Sequence, residues 1–389
     1  MEFFAVCLPG LEPFAAQELE ALGLFPPDRG TSLPETPADE QIGGVSFSGG
    51  LTDLYRANLY LRTTDRILVR FGTFRAAAFT ELRRKAGQLP WEEVLHPGGP
   101  VVFRVTCHQS RLYHQKAVAE RLAGAIADRL GRPPPVQPGD ENEDLQGPQL
   151  IMARLVHDRV TLSLDSSGAP LHRRGYRLAG GKAPLRETLA SGLLLASGWD
   201  RVSPLIDPFC GSGTIPIEAA LLAQNIPPGL NRPFAFMNWP SFESRNWQSL
   251  FTEPAPGPQG ITPHLVASDR DQGVIRTARE NAERAGVGRL IEFSCRAVSS
   301  IDVPAGPGWV VTNPPFGVRV SRQKDLRNLY AQLGKVLRYK CPGWQVTLLG
   351  SSPPLIRSTG LRLDPGIALS HGGLRVRIHR GTVEADGIY

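Results

Sequence analysis

From Ser203 onward, short apolar runs alternate with longer stretches of helical periodicity: "SPLIDPF", "TIPIEAALLAQ", "HLVASDRD", "GVIRTARENAERAG", "LIEFSC", "GWVVTNPPF", "LRNLYAQLGKVLRYK", "WQVTLLGSS" and "LRVRIHRG". Strands separated by helices of about 10–15 residues can be joined side by side only through crossover connections, so the pattern demands βαβ units and a parallel sheet. In such a sheet ligands sit outside the carboxyl ends of the strands. The residues that follow each apolar run are therefore the first place to look for chemistry.

The front of the chain is patterned differently. "FFAVCLPGLEPFAAQELEALGL" starts as a strand, turns at Pro9-Gly10 and continues as a helix that Gly23 ends. "GGVSFSG" reads as a strand, and "LTDLYRANLYLRTTDRILVRFGTF" as a helix running into a strand; the polar, Pro-rich "PPDRGTSLPETPADEQ" between the first two strands is a loop. "FRAAAFTELRRKAGQL", "VVFRVTCHQS" and "QKAVAERLAGAIADRLG" then read as helix, strand and helix. "LIMARLVHDRVTLSLDSSG" alternates as a hairpin turning at His157-Asp158. Two small α+β units, 1–58 and 59–168, are thus expected before an α/β domain over 169–389, with "HRRGYRLAGGKAP" as the connection. A length of 389 residues agrees with several cores rather than one.

Charge is uneven. Residues 1–165 hold 17 basic and 21 acidic side chains, and 166–389 hold 26 and 16; the stretch Arg62–Arg121 is itself basic, 11 against 5, and is followed by the acidic "GDENEDLQG". Basic regions attract polyanions, and a solvated surface gives the same count. The five cysteines are scattered and form no CxxC pair, so neither a disulfide framework nor a metal cluster is expected. No apolar run is long enough to span a bilayer, and "MEFFAVCLPG" lacks the basic flank of a signal peptide; a cytoplasmic protein is expected.

Between the first apolar run and its helix lies "DPFCGSGT", with Asp207 leading the turn and Gly211 and Gly213 inside it. Glycines here let backbone approach a ligand, and the helix start favours a polar group. The next apolar run ends in a second acid, Asp269, placed as a ribose ligand is in dinucleotide folds. The third glycine of a dinucleotide fingerprint is missing, because Thr214, Ile215 and Pro216 follow "GSG". A nucleoside without a pyrophosphate suits this loop better. Further on, Asn313 is followed by Pro314 and Pro315, which fix a rigid extended segment where the strand must already have ended, and then by Phe316.

"DPFCGSGT", "SDRD" and "NPPF", in this order, resemble the motifs of class I S-adenosylmethionine-dependent methyltransferases that modify amines. The resemblance implies a Rossmann-like catalytic domain in which Asp207, Phe209, Gly211, Gly213 and Thr214 surround the methionine part of S-adenosylmethionine, Asp269 holds the ribose, and Arg270 lies beside the adenine. Many members carry an acid near the adenine amine where this chain has Arg296, and Asp302 is the expected substitute. Asn313 completes the cofactor set. In the family the Asn313 side-chain oxygen and the Pro314 carbonyl accept from the target amine, favouring the pyramidal nitrogen of the transition state, while Phe316 offers a face for an extruded base. The sulfonium is the electrophile, so no metal is expected.

The front stretches and "LHRRGYRLAGGKAPLRETLASGLL" resemble THUMP-domain RNA methyltransferases, and among them the bacterial rRNA and tRNA guanine-N2 methyltransferases. This implies a ferredoxin-like domain, a THUMP domain and a structured RNA partner, rRNA or tRNA. Candidates for phosphate contact are Arg83, Arg84, Lys85, Arg104, Arg111, Lys116, Arg173, Arg174 and Arg177; His108 and His114 read as surface residues. Pro184, Leu185 and Glu187 match a helix start near the cofactor. The aromatic insertion "NRPFAFMNWPSFESRNWQSLF" is expected to cap the catalytic sheet, or else to line the base pocket. Two rival readings stand beside guanine N2: an N-methyltransferase for another amine, such as adenine N6 or a protein side chain, and a non-catalytic RNA-binding assembly factor.

Overall fold

A computed structural model describes residues 1–24, 43–138, 147–177, 185–251, 262–316, 323–371 and 374–384. The loop 26–41, most of the acidic stretch and Pro184 lie outside the described residues. In chain order the strands are β1 (Glu2–Cys7), β2 (Gly44–Ser48), β3 (Thr64–Arg75), β4 (Val101–His108), β5 (Gln149–Val156), β6 (Arg159–Asp165), β7 (Leu205–Asp207), β8 (Leu265–Asp269), β9 (Ile291–Cys295), β10 (Trp309–Thr312), β11 (Gln345–Gly350), β12 (Ala368–His371) and β13 (Leu374–Thr382). The helices are α1 (Glu12–Ala21), α2 (Leu51–Tyr60), α3 (Phe79–Ala86), α4 (Gln115–Leu130), α5 (Glu187–Ser197), α6 (Thr214–Ala223), α7 (Ser244–Ser249), α8 (Gln272–Arg284), α9 (Gln323–Lys340) and α10 (Pro353–Ser358).

The chain divides into two compact units. The first comprises Met1–Cys7, Glu18–Leu171 and Arg232–Pro254. Its six-stranded sheet runs β2-β1-β3-β6-β5-β4, antiparallel except for β4 beside β5, so the strands on either side of residue 58 share one sheet. The β5–β6 hairpin turns at His157 and Asp158, with φ of 49° and 61°. Two consecutive positive φ values match the right-handed twist of the flanking strands, and Asp and His tolerate them better than most residues.

The aromatic insertion is found here and not on the catalytic sheet, which corrects both expectations for it. Phe234, Phe236, Trp239 and Leu250 are buried in the core of the first unit. Phe236 stacks on Tyr55 of α2 at 4.6 Å between ring centroids, the Glu243 N–H donates to the Tyr55 hydroxyl at 3.1 Å, and Trp239 Nε1 donates to Gln149 Oε1 at 2.7 Å. Arg232 anchors the start of the segment by donating to the carbonyls of Pro170 and Ser167. Aromatic residues with polar tips serve such docking well, because they bury large apolar area while each tip finds a partner.

The second unit comprises Leu8–Gln17, His172–Asn231 and Ala255–Tyr389. Its sheet runs β12-β13-β11-β10-β7-β8-β9; β7 to β11 are parallel, and β13 and β12 close one side antiparallel. Strand order reverses at β7, whose neighbours are β8 on one side and β10 on the other. The crevice at the carboxyl ends of β7 and β10 is the switch point at which such sheets bind ligands.

Candidate functional site

β7 is three residues long and ends on Asp207, which is buried. The chain then turns through Pro208–Gly213 into α6. Gly211 has φ of +52°, and a Cβ built there would meet nothing within 4 Å, so its bare backbone faces open space. Gly213 has φ of +85° and is packed tightly, its Cβ position lying 3.1 Å from Ala278 Cβ. The two glycines thus serve different ends: one leaves room for a ligand, the other lets the loop close on α8. The turn is fixed by Asp269 at the end of β8, which accepts from the Gly211 N–H at 3.2 Å through one oxygen and from the Asp271 N–H at 3.1 Å through the other. Asp271 in turn caps α8, accepting from Gly273 and Val274.

β10 ends at Thr312, and its hydroxyl donates to Asp207 Oδ1 at 2.5 Å, closing the gap between the two strands at the switch point. The Phe209 N–H donates to the same oxygen at 3.1 Å. Asp207 Oδ2 is buried and has no partner among the described residues. The same is true of Asn313 Oδ1, one residue beyond β10. Two buried acceptors without donors are costly unless a ligand supplies the donors. Both residues line one cavity of about 630 Å³, within the range of small-molecule sites.

Of the residues singled out in the sequence, Asp207, Phe209, Gly211, Thr214, Asp269, Arg270 and Asn313 line this cavity, as does Leu185. Gly213, Asp302, Pro314 and Phe316 are not among its lining residues. Gly213 is the N-cap of α6, and the Asp302 carboxylate is engaged by Arg296, Nη1 to Oδ1 at 2.9 Å. The acid expected near the adenine amine is thus paired with Arg296, the side chain that stands where many members of the resembling family carry an acid. Arg296 itself lines the cavity.

Burial of Asp207, with Asp269 nearby, pushes its carboxyl up to about 7 despite the donors from Thr312 and Phe209. A carboxyl raised in the folded state binds its proton more tightly there than in the unfolded chain. The stability that this gives is complete below pH ~4 and is lost as pH rises through ~7, about 4 kcal/mol over the interval. The ligand-free protein is expected to unfold at lower urea at pH 8 than at pH 5, and Asp207→Asn to flatten that decline. Part of the slope should survive in the variant, because burial also pushes Glu187 up to about 7 even with Arg177 beside it. Urea midpoints measured at four pH values would check both statements.

A polar network beneath the loop joins the helix start at Leu185 and Glu187 to residues with no expected role there, Glu218 and Asn281 among them. Arg177 donates to Thr214 Oγ1 and, at 3.2 Å, to the carbonyl of Leu185, both cavity-lining residues, and pairs with Glu187. Glu218, fully buried in α6, accepts from the Tyr176 hydroxyl at 3.1 Å and from Ser191 at 2.8 Å, with Arg174 Nε 3.8 Å away. Asn281 donates to the carbonyl of Ser212 from α8. Arg174 and Arg177 were expected to face phosphate; they are interior struts of the loop, which corrects that reading. The available signal was Glu218, a lone acid in the apolar "TIPIEAALLA", where only a buried partner makes a charge tolerable. Glu218→Ala leaves two buried hydroxyls without acceptors. It is expected to cost about 3 kcal/mol or more, read as a drop in the urea midpoint.

Arg83 pairs with Asp128 and Lys85 with Glu81 on the surface of the first unit; Arg84, Arg111 and Lys116 are exposed, as are His108 and His114. No described helix is long and apolar enough to cross a membrane, and no three His, Cys, Asp or Glu among the described residues are grouped to hold a metal ion.

The family described as "RMKL-like, methyltransferase domain" matches residues 174–362, and the one described as "RlmL ferredoxin-like domain" matches residues 2–68. The chain is 37% identical to a "Ribosomal RNA large subunit methyltransferase K/L" of Syntrophotalea carbinolica, over 97% of this chain and 53% of that protein. It is 35% identical to "Putative RNA methyltransferase slr0064" of Synechocystis sp., over 96% and 94%. The chain thus spans about half the length of the first relative and nearly all of the second. Among solved structures, a "predicted N6-adenine-specific DNA methylase" from Listeria monocytogenes superposes with a TM-score of 0.81 at 32% identity, covering 97% of this chain and 95% of that one. SMU.472, "a putative methyltransferase complexed with SAH", superposes with a TM-score of 0.82 at 26% identity, covering 100% and 99%.

Proposed function

Because the chain belongs to the RMKL-like methyltransferases that carry an RlmL-type ferredoxin-like domain at their front, a family dependent on S-adenosylmethionine, we propose that it methylates the N2 amine of a guanosine in structured RNA. The residues present fit the cofactor: Asp207 Oδ2 is an acceptor waiting for a donor such as an ammonium, Gly211 leaves the backbone bare, and Asp269 stands at the end of the neighbouring strand. When bound, S-adenosylmethionine supplies an electrophilic methyl group. Thr312 keeps the Asp207 carboxylate aimed by holding its other oxygen. Asn313 and the Pro314 carbonyl accept from the target amine, and the two prolines prevent either acceptor from turning away. Phe316 stacks on the base. The front unit, read as ferredoxin-like over 1–58 and THUMP over 59–168, binds RNA through exposed cations such as Arg84, Arg111 and Lys116.

The observation that carries this reading is Asn313 Oδ1, buried in the lining of the switch-point cavity without a hydrogen-bond partner among the described residues, because methyl transfer to an amine needs an acceptor there and little else. The test is incubation of the full chain with labelled S-adenosylmethionine and separate ribosomal and transfer RNA pools, followed by nucleoside mass spectrometry. Labelled N2-methylguanosine is expected from one pool. An adenine-N6 product would instead establish the second reading, which the wording attached to the Listeria structure favours. Absence of any methylated nucleoside from either pool, with S-adenosylhomocysteine bound, would support the non-catalytic one.

A further inference from the structure

The end of the cavity beyond Asp269 has an unusual polar edge. β8 and β9 run parallel, and the Arg296 N–H, just past β9, donates to the Asp269 carbonyl at 2.9 Å. The Arg296 backbone is thereby fixed one strand over from the ribose position. A nucleoside whose ribose is held by Asp269 places its base here, against the apolar wall of Val274, Ala297 and Val298. The Arg296 guanidinium is oriented from outside: Nη1 donates to Asp302 Oδ1 at 2.9 Å and to the Ser300 carbonyl at 3.5 Å. Its Nε and Nη2 have no partner among the described residues. Asp271, another acid of the cavity lining, accepts two N–H groups of α8 through its Oδ1.

From this geometry we infer that Arg296 determines cofactor specificity at the six-position of the purine, presenting donors where a site selective for adenine presents an acceptor. The inference rests on the S-adenosylmethionine reading above. A guanidinium has five N–H donors and no acceptor. It meets adenine through the N1 lone pair and leaves the six-amino group to solvent, and it meets a six-oxo purine directly through the carbonyl. A site that hydrogen-bonds the amino group rejects the oxo analogue strongly, since buried groups are left mismatched. A site edged by Arg296 does not.

The experiment is calorimetric titration of the full chain with S-adenosylhomocysteine and with its six-oxo counterpart, S-inosylhomocysteine. The wild-type protein is expected to bind the two with dissociation constants less than tenfold apart. Arg296→Asp is expected to raise the oxo-to-amino ratio at least tenfold, by supplying an acceptor. Arg296→Gln, which offers an acceptor without a charge beside Asp302, is the second variant should the first lose all binding, and a rise of threefold or more is expected of it. A wild-type preference for the amino ligand of tenfold or more overturns the inference alone. So does a ratio that neither variant moves. Binding of neither ligand by the folded wild-type chain overturns the cofactor reading, and this inference falls with it.

Discussion

Asn313→Ala is expected to lower methyl transfer by about two to three orders of magnitude while S-adenosylhomocysteine binds within about threefold of the parent affinity. Asn313 Oδ1 is buried without a hydrogen-bond partner among the described residues, so alanine breaks no described hydrogen bond of that atom and leaves no described donor stranded. Asp207, Gly211 and Asp269, which line the cavity proposed for the cofactor, are held by hydrogen bonds among themselves and with Thr312, Phe209 and Asp271. None of those bonds passes through the Asn313 side chain. The loss should therefore fall on kcat rather than on cofactor affinity. Single-turnover transfer to RNA measured beside calorimetry of the same preparation separates the two. A variant that turns over like the parent would end the proposed role.

Removal of the front of the chain should do more than abolish RNA binding. A fragment spanning 172–389 retains Phe234, Phe236, Trp239 and Leu250 and lacks Tyr55, Gln149 and the rest of the core that buries them. Each aromatic side chain buries about 150–250 Å², so the three uncover an apolar patch of roughly 500 Å² or more. The fragment is expected to aggregate, eluting in the void volume of a sizing column. Replacing 232–254 by a Gly/Ser linker of equal length, with Leu8–Gln17 of the same unit joined to the front of the fragment, should return it to a monomer that binds S-adenosylhomocysteine. A monodisperse fragment with the segment intact would refute the argument. A truncation that simply removes the front unit confounds loss of RNA binding with loss of solubility, and the linker variant separates them.

Secondary structure along the chain was largely legible, because each element announces itself within its own residues. Apolar runs of period two and stretches of period 3.6 predicted β1, α2, β3, the β5–β6 hairpin and the alternation from β7 to β13, and the structure has all of them. Local chemistry was legible in the same way: "DPFCGSGT" is followed by α6, "SDRD" ends β8, and "NPPF" follows β10. Parallel pairing then brings Asp207, Asp269 and Asn313 to one cavity, although the first and the last are 106 positions apart.

What could not be read were the choices a side chain makes among distant partners. Arg174 and Arg177 sit in a basic run, and composition cannot tell a solvated arginine from one that braces Thr214 or lies beside Glu218. Asp302 was available in sequence to replace a missing acid, but Arg296 reached it first. The aromatic insertion leaves the chain between two elements of the catalytic sheet and finds its core with α2 and β5, far away in sequence.

The sequence by itself determined the elements, their order and the residues able to do chemistry, because propensity, periodicity and motif spacing act over a few neighbouring residues. Only the tertiary structure decided which acid answers which arginine and which core takes the insertion. Those are contests between contacts remote along the chain, and burial settles them: a charge or a ring that leaves water must find its partner where the fold has placed one.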